Sequence, residues 1–355
     1  MKRLVLVGGG LVHLEVVRRL ARSPFPDTDV ILISDRALSV YAGMLPGVVA
    51  GHYRVEAMTV DVAGLAAAAG VRFHQGAVRG LDHDACELVL DDTTRLAFTH
   101  VSFNTGAEAR PIAARPRHDT LSIKPALSFV SDLASWENRA DADRPAAVIG
   151  GGVSGIEMAF ALAHRWRGRR AAPVLIERSG TALDRVPAAA RNKVRDHLRR
   201  AGIAVHREEA DLDLGLAVNA AGAVAPDWLA QTGLARNDLG YLAIRPTLQV
   251  PGHDNIFAAG DVASVVDHPR AKAGVFAVRQ GPVLHRNLGL ALAGGTPAPH
   301  HPQTDWLSLI ATGAKHAIGT RNGIAVEGRW VWHLKDINDR GYLRRYRTLA
   351  ERKLA

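Results

Sequence analysis

Short apolar runs alternate with helical patterns from the fourth residue onward. "LVLV", "DVILIS", "VRFHQGAV", "CELVL" and "HVSFNTG" read as strands, and "GLVHLEVVRRL" after the first of them has the period of an amphipathic helix. This order predicts an α/β layer built on a parallel sheet. Strands crowd together between Val71 and Gly106 with short polar turns, which predicts a small antiparallel meander inserted into the unit. Pro, Ala and Arg over residues 111–116 mark a crossing. The pattern restarts at Arg144 with strand "AAVIGGG", helix "VSGIEMAFALAHR", strand "APVLIE" and a helix ending on Gly202. From Asp238 a strand-and-turn segment leads to a helix near "AKAGVFAVRQGPVLHRNL", and after His300 "WLSLIAT" and "HAIGTR" read as strands. In the last stretch Trp330, Leu334 and Ile337 share one helical face and Tyr342, Tyr346 and Leu349 another. Gly341 lies between them, which predicts two short amphipathic pieces.

At 355 residues the chain is long enough for two ordinary domains. Hydrophobic residues make up 47 % and aromatics 5 %, so the core is expected to consist mainly of Ala, Val and Leu. No run of eighteen apolar residues exists, so no membrane-spanning helix is expected. The opening "MKRLVLV" meets three glycines too early for a signal core, which predicts a cytoplasmic protein. The single cysteine, Cys86, is expected in a half-buried strand and forms neither an internal disulfide nor a Cys-x-x-Cys pair. A net charge of +9 suits nucleic acid, an anionic membrane surface or anionic cofactors. Without zinc-finger spacing or an aromatic-interleaved basic patch, no nucleic acid and no metal ligand set is expected.

The chemistry concentrates in two glycine turns. The second, with Gly150, Gly152 and Gly155 between strand and helix, is a complete dinucleotide fingerprint. Its first glycine permits the tight turn, the second the approach of a pyrophosphate, and the third close packing of helix on strand. Phosphate charge then meets free N–H groups at the helix start. Glu177 follows Gly150 by 27 residues, where a carboxylate accepts hydrogen bonds from ribose hydroxyls. The first turn has Gly8, Gly9 and Gly10, with Asp35 27 residues after Gly8. His13 stands where its third fingerprint glycine would be, and is expected to be a partly buried packing residue.

Three further stretches carry a resemblance. "FNTGAEARP" (103–111) resembles the segment that closes a flavin domain, "NIFAAGDVA" (255–263) the second flavin signature, and "GLAVNAAGAVAPDWL" the end of a nicotinamide domain. Together they resemble the pyridine nucleotide–disulfide oxidoreductase superfamily, over residues 1 to about 300. Within it, "LISDRALSVYAGMLPGVVAGHY" and "KAGVFAVRQGPVLHRNL" are similar to type II NADH dehydrogenases, most of all to the group associated with selenophosphate synthetase. The resemblance implies an α/β fold of two Rossmann-like domains with a small C-terminal α+β tail. Residues 1–112 and 236–300 would bind FAD, 113–235 would bind NAD(P)H, and 301–355 would form a membrane or partner surface. Carried over residue by residue, Gly8, Gly9, Gly10 and Asp35 would serve FAD pyrophosphate and ribose. The Val78 backbone would meet adenine, and Thr105 and Gly106 the pyrophosphate. Gly260 and Asp261 would hold the ribityl chain. Met44, Leu45, Lys272, Ala273 and Gly274 would border the isoalloxazine. Gly150, Gly152, Gly155, Glu177 and Gly222 would serve the nicotinamide dinucleotide.

The helix from Gly274 would turn its positive end toward charge on a reduced flavin; Lys272 would add to this or stand as a surface lysine. Glu157 would face the nicotinamide or be an ordinary helix carboxylate. Lys124 is a candidate for the flavin edge, and Gln280 for the entry of a quinone. With Cys86 alone, electrons are expected to pass directly to a quinone, dioxygen or an external carrier. NADH is the expected donor, although Arg178 beside Glu177 keeps NADPH open. Arg344, Arg345, Arg347, Arg352 and Lys353 give the tail either a bilayer-facing basic helix or a solvated basic face. The trimmed segment between Ala201 and Ala221 favours one rival reading, an FAD-bound sensor with little turnover that docks on selenophosphate synthetase; a second rival is a soluble reductase of an electron carrier.

Overall fold

A computed structural model describes residues 1–351 apart from 113–117, 140–142, 179–182, 209–211, 267–271, 273, 302 and 304–305. Most of the 111–116 crossing, Ala273, Arg352 and Lys353 lie outside the described residues.

Two five-stranded parallel sheets repeat one design. The first runs Ile256–Ala258, His100–Phe103, Lys2–Val7, Thr28–Ser34, Arg72–Gln75. The second runs Asp119–Ser122, Leu216–Asn219, Ala146–Ile149, Val174–Ile176, Val205–His206. Strands buried on both faces read as continuous apolar runs, and Leu4, Leu6, Phe103, Phe257, Val148 and Val218 are fully buried. Helices α1 (Leu11–Leu20), α2 (Leu45–Val49), α3 (Val62–Ala68), α4 (Ala126–Glu137), α5 (Val153–Trp166), α6 (Arg191–Arg200) and α7 (Gly274–Leu292) join or cover these sheets. The expected meander is present, as Val78–Asp82, Glu87–Leu90 and Arg95–Ala97. The run "VRFHQGAV" is therefore two strands, divided where Gly76 N donates to Ser34 O and Ala77 N to Asp91 Oδ2. Cys86 is not in a strand. It sits in the turn before Glu87 at φ +54°, with Asn255 Nδ2 3.6 Å from its sulfur.

The tail forms an antiparallel sheet, Ser308–Ala311, Ala317–Arg321 and Ile324–Gly328, followed by helix α8, Arg329–Glu351. The two expected helical pieces are one. Gly341 does not break α8, because packing of Val331, Trp332, Tyr342, Leu343 and Tyr346 outweighs a single poor helix former. A Cβ at Gly341 would meet no atom within 4 Å. Gly341→Ala is therefore expected to stabilise the protein by about 0.5–1 kcal/mol in urea unfolding, through the lower backbone entropy of the unfolded chain.

Candidate active site

The two glycine turns are built alike. Gly8 N donates to Ile33 O and Asn104 N to Val7 O, both at 2.7 Å; Gly150 N donates to Ile176 O at 2.9 Å and Ala220 N to Ile149 O at 2.8 Å. Both first glycines have positive φ, +98° and +127°, and a side chain there would strike the backbone of Asn104 or Ala220. The turns differ at the third position. A methyl group on Gly155 would overlap the Gly150 carbonyl oxygen. At His13 the imidazole instead bonds to the equivalent carbonyl: Nδ1–H donates to Gly8 O at 2.8 Å, and Nε2 accepts from Ser102 Oγ at 2.9 Å. A carbonyl only accepts, so this geometry fixes the Nδ1–H tautomer. Gly281 on α7 gives α1 room, since a Cβ there would collide with the Glu15 side chain.

His13 is fully, not partly, buried, and burial pushes its pKa down to about 4, with the Gly8 bond opposing. The unfolded chain binds that proton near the ordinary value of 6.5. Stability from the neutral ring is therefore complete above about pH 6.5 and lost as pH falls toward 4, by roughly 3 kcal/mol. Urea unfolding at pH 7 and pH 4 measures this; in His13→Gln that part of the acid sensitivity is expected to vanish.

The two carboxylates at equal spacing do not hold equal positions. Glu177 is 6 % exposed and lies over Gly151, where a methyl group would overlap its carboxylate. The atom over Gly9 is Ser34 Oγ, 3.0 Å from the corresponding Cβ position. Asp35 stands one residue further on, its side chain 66 % exposed and 3.6 Å from Arg36. The connection accounts for the offset: Ile33 follows Gly8 by 25 residues, whereas Ile176 follows Gly150 by 26.

Asn104, which sequence reasoning passed over, ties three loops together. Its Oδ1 accepts from Val12 N and His13 N at the start of α1, and its Nδ2 donates to Ala259 O at 2.7 Å. The signal was its place directly before the Thr105–Gly106 pair. Next to Ala259, Asp261 lies 3.5 Å from Lys124 Nζ. Lys272 is on the same side: its Nζ sits 3.8 Å over the Tyr241 ring and donates to Ala263 O. Burial pushes the Lys272 ammonium down to about 8, with Asp261 opposing. Gln280 is buried, and its Oε1 accepts from Gly260 N at 2.7 Å. Its amide thus props the Gly260 loop, a structural task that the sequence did not suggest.

Met44, Leu45 and Val78 are buried, while Thr105 and Gly222 are exposed. Lys335 of α8 reaches in beside Met44, donating to Gly43 O at 2.9 Å and Asp339 Oδ2 at 2.8 Å; Tyr41 Oη donates to Asp339 Oδ1 at 3.1 Å. Glu157 on α5 accepts from Ala311 N at 2.8 Å. Its carboxyl is pushed up by burial, with the Lys335 charge opposing. This cluster joins α5, the 41–44 turn and the tail, and Lys335, Asp339 and Tyr41 carry no motif by which sequence could reveal them.

The donor set suits dinucleotides. No side chain caps the start of α5, and no acidic residue occupies its first turn. At Gly106, Gly152, Gly222 and Gly274 a Cβ would meet no atom within 4 Å, so backbone borders open space where a phosphate or ring would approach.

Comparison with known proteins agrees with this geometry. The model of the pyridine nucleotide-disulphide oxidoreductase family matches residues 2–210. The chain is 27 % identical over 350 residues to demethylphylloquinone reductase NdbB of Synechocystis, covering 88 % of this chain and 85 % of the relative. Its fold matches the sulfide:quinone oxidoreductase of Aquifex aeolicus with a TM-score of 0.81 at 18 % identity, over 98 % of this chain and 92 % of the other. NDH2 of Plasmodium falciparum, solved with NADH, gives 0.80 at 12 % identity, over 99 % and 96 %. The chain therefore belongs to the pyridine nucleotide-disulphide oxidoreductase family.

Proposed function

We propose that this oxidoreductase takes a hydride from NADH and delivers two electrons to a quinone at an anionic membrane surface. The observation that carries the reading is the cysteine inventory: Cys86 is alone, in a turn of the meander bonded to Asn255, so no dithiol relays electrons. The NdbB relative, named a demethylphylloquinone reductase, supports a quinone as acceptor. FAD, when bound, would supply the two-electron chemistry between donor and acceptor. Gly8, Gly9, Gly10, Thr105 and Gly106 would hold its pyrophosphate, with Asp35 beside the ribose and Val78 by the adenine. Gly260 and Asp261 would hold the ribityl chain. Met44, Leu45, Lys124, Lys272, Ala273 and Gly274 would border its ring, the two lysines favouring negative charge there. Gly150, Gly152, Gly155, Glu177 and Gly222 would hold NADH, with Glu157 at the nicotinamide end. Glu177, lying over Gly151, would repel a 2′-phosphate and favour NADH over NADPH.

One face of α8 supports the membrane. Trp330, Leu334 and Ile337 are 58, 37 and 68 % exposed. The same stripe continues into a groove of about 500 Å³ lined by Arg18, Arg22, Arg344 and Arg345. Apolar side chains followed by arginines match acyl chains followed by phosphate headgroups. No helix among the described residues is long and apolar enough to cross a membrane.

The test is anaerobic. NADH is expected to bleach the bound flavin at near-stoichiometric amounts, and a soluble quinone analogue is expected to restore its colour. A flavin that NADH bleaches but quinone leaves bleached would move the acceptor to a carrier protein; one that NADH leaves yellow would favour the sensor. Flotation with phosphatidylglycerol vesicles is expected to drop in Ile337→Glu, and unchanged flotation would remove the membrane from the reading.

A further inference from the structure

Away from the glycine turns, His197, His316 and Glu327 bring one ligand atom each to within 4.8 Å of one another. They come from three places: His197 from α6, His316 from the turn over residues 312–316, and Glu327 from the last strand of the tail sheet. We propose that these three side chains form a site for one divalent transition-metal ion of the zinc class, which clasps the tail sheet onto α6.

The chemistry suits such an ion. Two imidazoles and a carboxylate are zinc ligands, and three protein ligands leave a fourth position for water. The groups already converge. His197 Nε2 lies 3.0 Å from Glu327 Oε2, and the two imidazole rings are 4.8 Å apart at 43°. The second nitrogen of His316 is fixed as metal-binding histidines require: its Nδ1 lies 3.0 Å from Thr312 Oγ1, leaving Nε2 for a ligand. The 312–316 turn is itself tied, with Thr312 N donating to His316 O at 3.0 Å. Lys193 works against the ion. Its ammonium is 3.3 Å from Glu327 Oε1 and neutralises the carboxylate that a metal needs. Lys193 and His197 both lie at hydrogen-bonding distance from the Glu327 carboxylate, one at each oxygen. The ion would take Glu327 Oε2 from His197 while Lys193 keeps Oε1. Arg200, also near His316, adds repulsion, so moderate affinity is expected.

The experiment titrates Zn²⁺ alone into the chelator-treated full chain by calorimetry. One equivalent is expected to bind, with affinity falling as pH drops below the histidine range. His316→Ala and Glu327→Gln are expected to abolish that equivalent. Thr312→Val, which keeps all three ligands, is expected to weaken it about tenfold or more. Lys193→Gln is expected to bind more tightly, because it frees Glu327; this variant keeps the proposal testable if a ligand variant fails to fold. Absence of a stoichiometric equivalent, or one that survives His316→Ala, would overturn the site, as would weaker binding in Lys193→Gln. The chain has 16 histidines, so only an equivalent lost with these named residues supports it.

Discussion

Lys335→Met is expected to destabilise the protein by about 3–5 kcal/mol. Lys335 and Asp339 are 14 and 8 % exposed in their side chains. Burial works against the Lys335 charge, but the Glu157 and Asp339 carboxylates overcome it and hold its pKa above the ordinary lysine value. Methionine fills a similar volume without the charge. It leaves the buried Asp339 and the half-buried Glu157 without that cation, and the Gly43 carbonyl without its donor. The loss in urea unfolding is also expected to depend on pH. Both carboxyls are pushed up by burial even with the lysine present, so the folded state holds protons that the unfolded chain releases. Without Lys335 that shift grows, and the mutant recovers stability as pH falls through the carboxylate range. Adding Asp339→Leu to the methionine variant is expected to return part of the loss, because the second change removes the stranded charge. A double variant as unstable as the two losses summed would show that the pair is uncoupled.

This cluster marks where sequence reading ended. Periodicity placed most of the first sheet, two strands of the second (146–149 and 174–176), the meander and α1, α5, α6 and α7, because each buries a patterned apolar face against its neighbours. It could not place Lys335 against Gly43, since that meeting depends on α8 lying across both units after a long chain excursion. It also broke α8 at Gly341, weighing local propensity where tertiary packing decides. The bond that Gln280 makes was hidden for a similar reason. A glutamine in a helix looks free to line a channel, yet the orphan Gly260 N–H already takes its carbonyl.

Two features of the glycine turns are subtler. Equal 27-residue spacing paired Asp35 with Glu177, but counting along the chain ignores the length of the helix and loop between turn and strand. Hydrogen bonding registers Ile33 with Ile176, and so Ser34 with Glu177. Asp35 is therefore an exposed group near the first turn and no positional copy of Glu177. Asn104 was hidden because its value lies in contacts to Val12, His13 and Ala259, far apart in sequence. By contrast the His13 substitution was legible as a packing exchange, and the structure adds only how it works: the ring reaches the carbonyl that a glycine would have touched.

That exchange sets the second large expectation. Gly155→Ala is expected to slow reduction by NADH about 100-fold while leaving bound flavin unchanged. The added methyl would overlap the Gly150 carbonyl oxygen, and neither side has room to yield. Gly150 is pinned by its bond to Ile176 O and jammed against Ala220, whose own N–H is bonded to Ile149 O. Helix α5 must therefore move off its sheet, at about 1–3 kcal/mol in stability. Its N–H groups would then no longer meet the pyrophosphate at hydrogen-bonding distance, and a displacement near 1 Å at such a site costs about 100-fold in rate. Glu157 rides on the same helix, so its bond to Ala311 N would stretch as well. The Gly8 turn of the first unit shares none of the Gly150 and Ala220 contacts, although α5 also packs on α2 and its Arg165 donates to Val49 O, so flavin content is read alongside the rate. Rapid-mixing reduction with NADH, alongside the flavin-to-protein ratio, distinguishes the outcomes. A wild-type rate would mean that the second turn does not hold the nicotinamide dinucleotide, and loss of flavin would mean that damage to the helix spreads to the first unit. His13→Gly, the reverse exchange, opens a cavity where the ring was and is expected to cost stability without slowing NADH. The same fingerprint position thus has opposite requirements in its two copies.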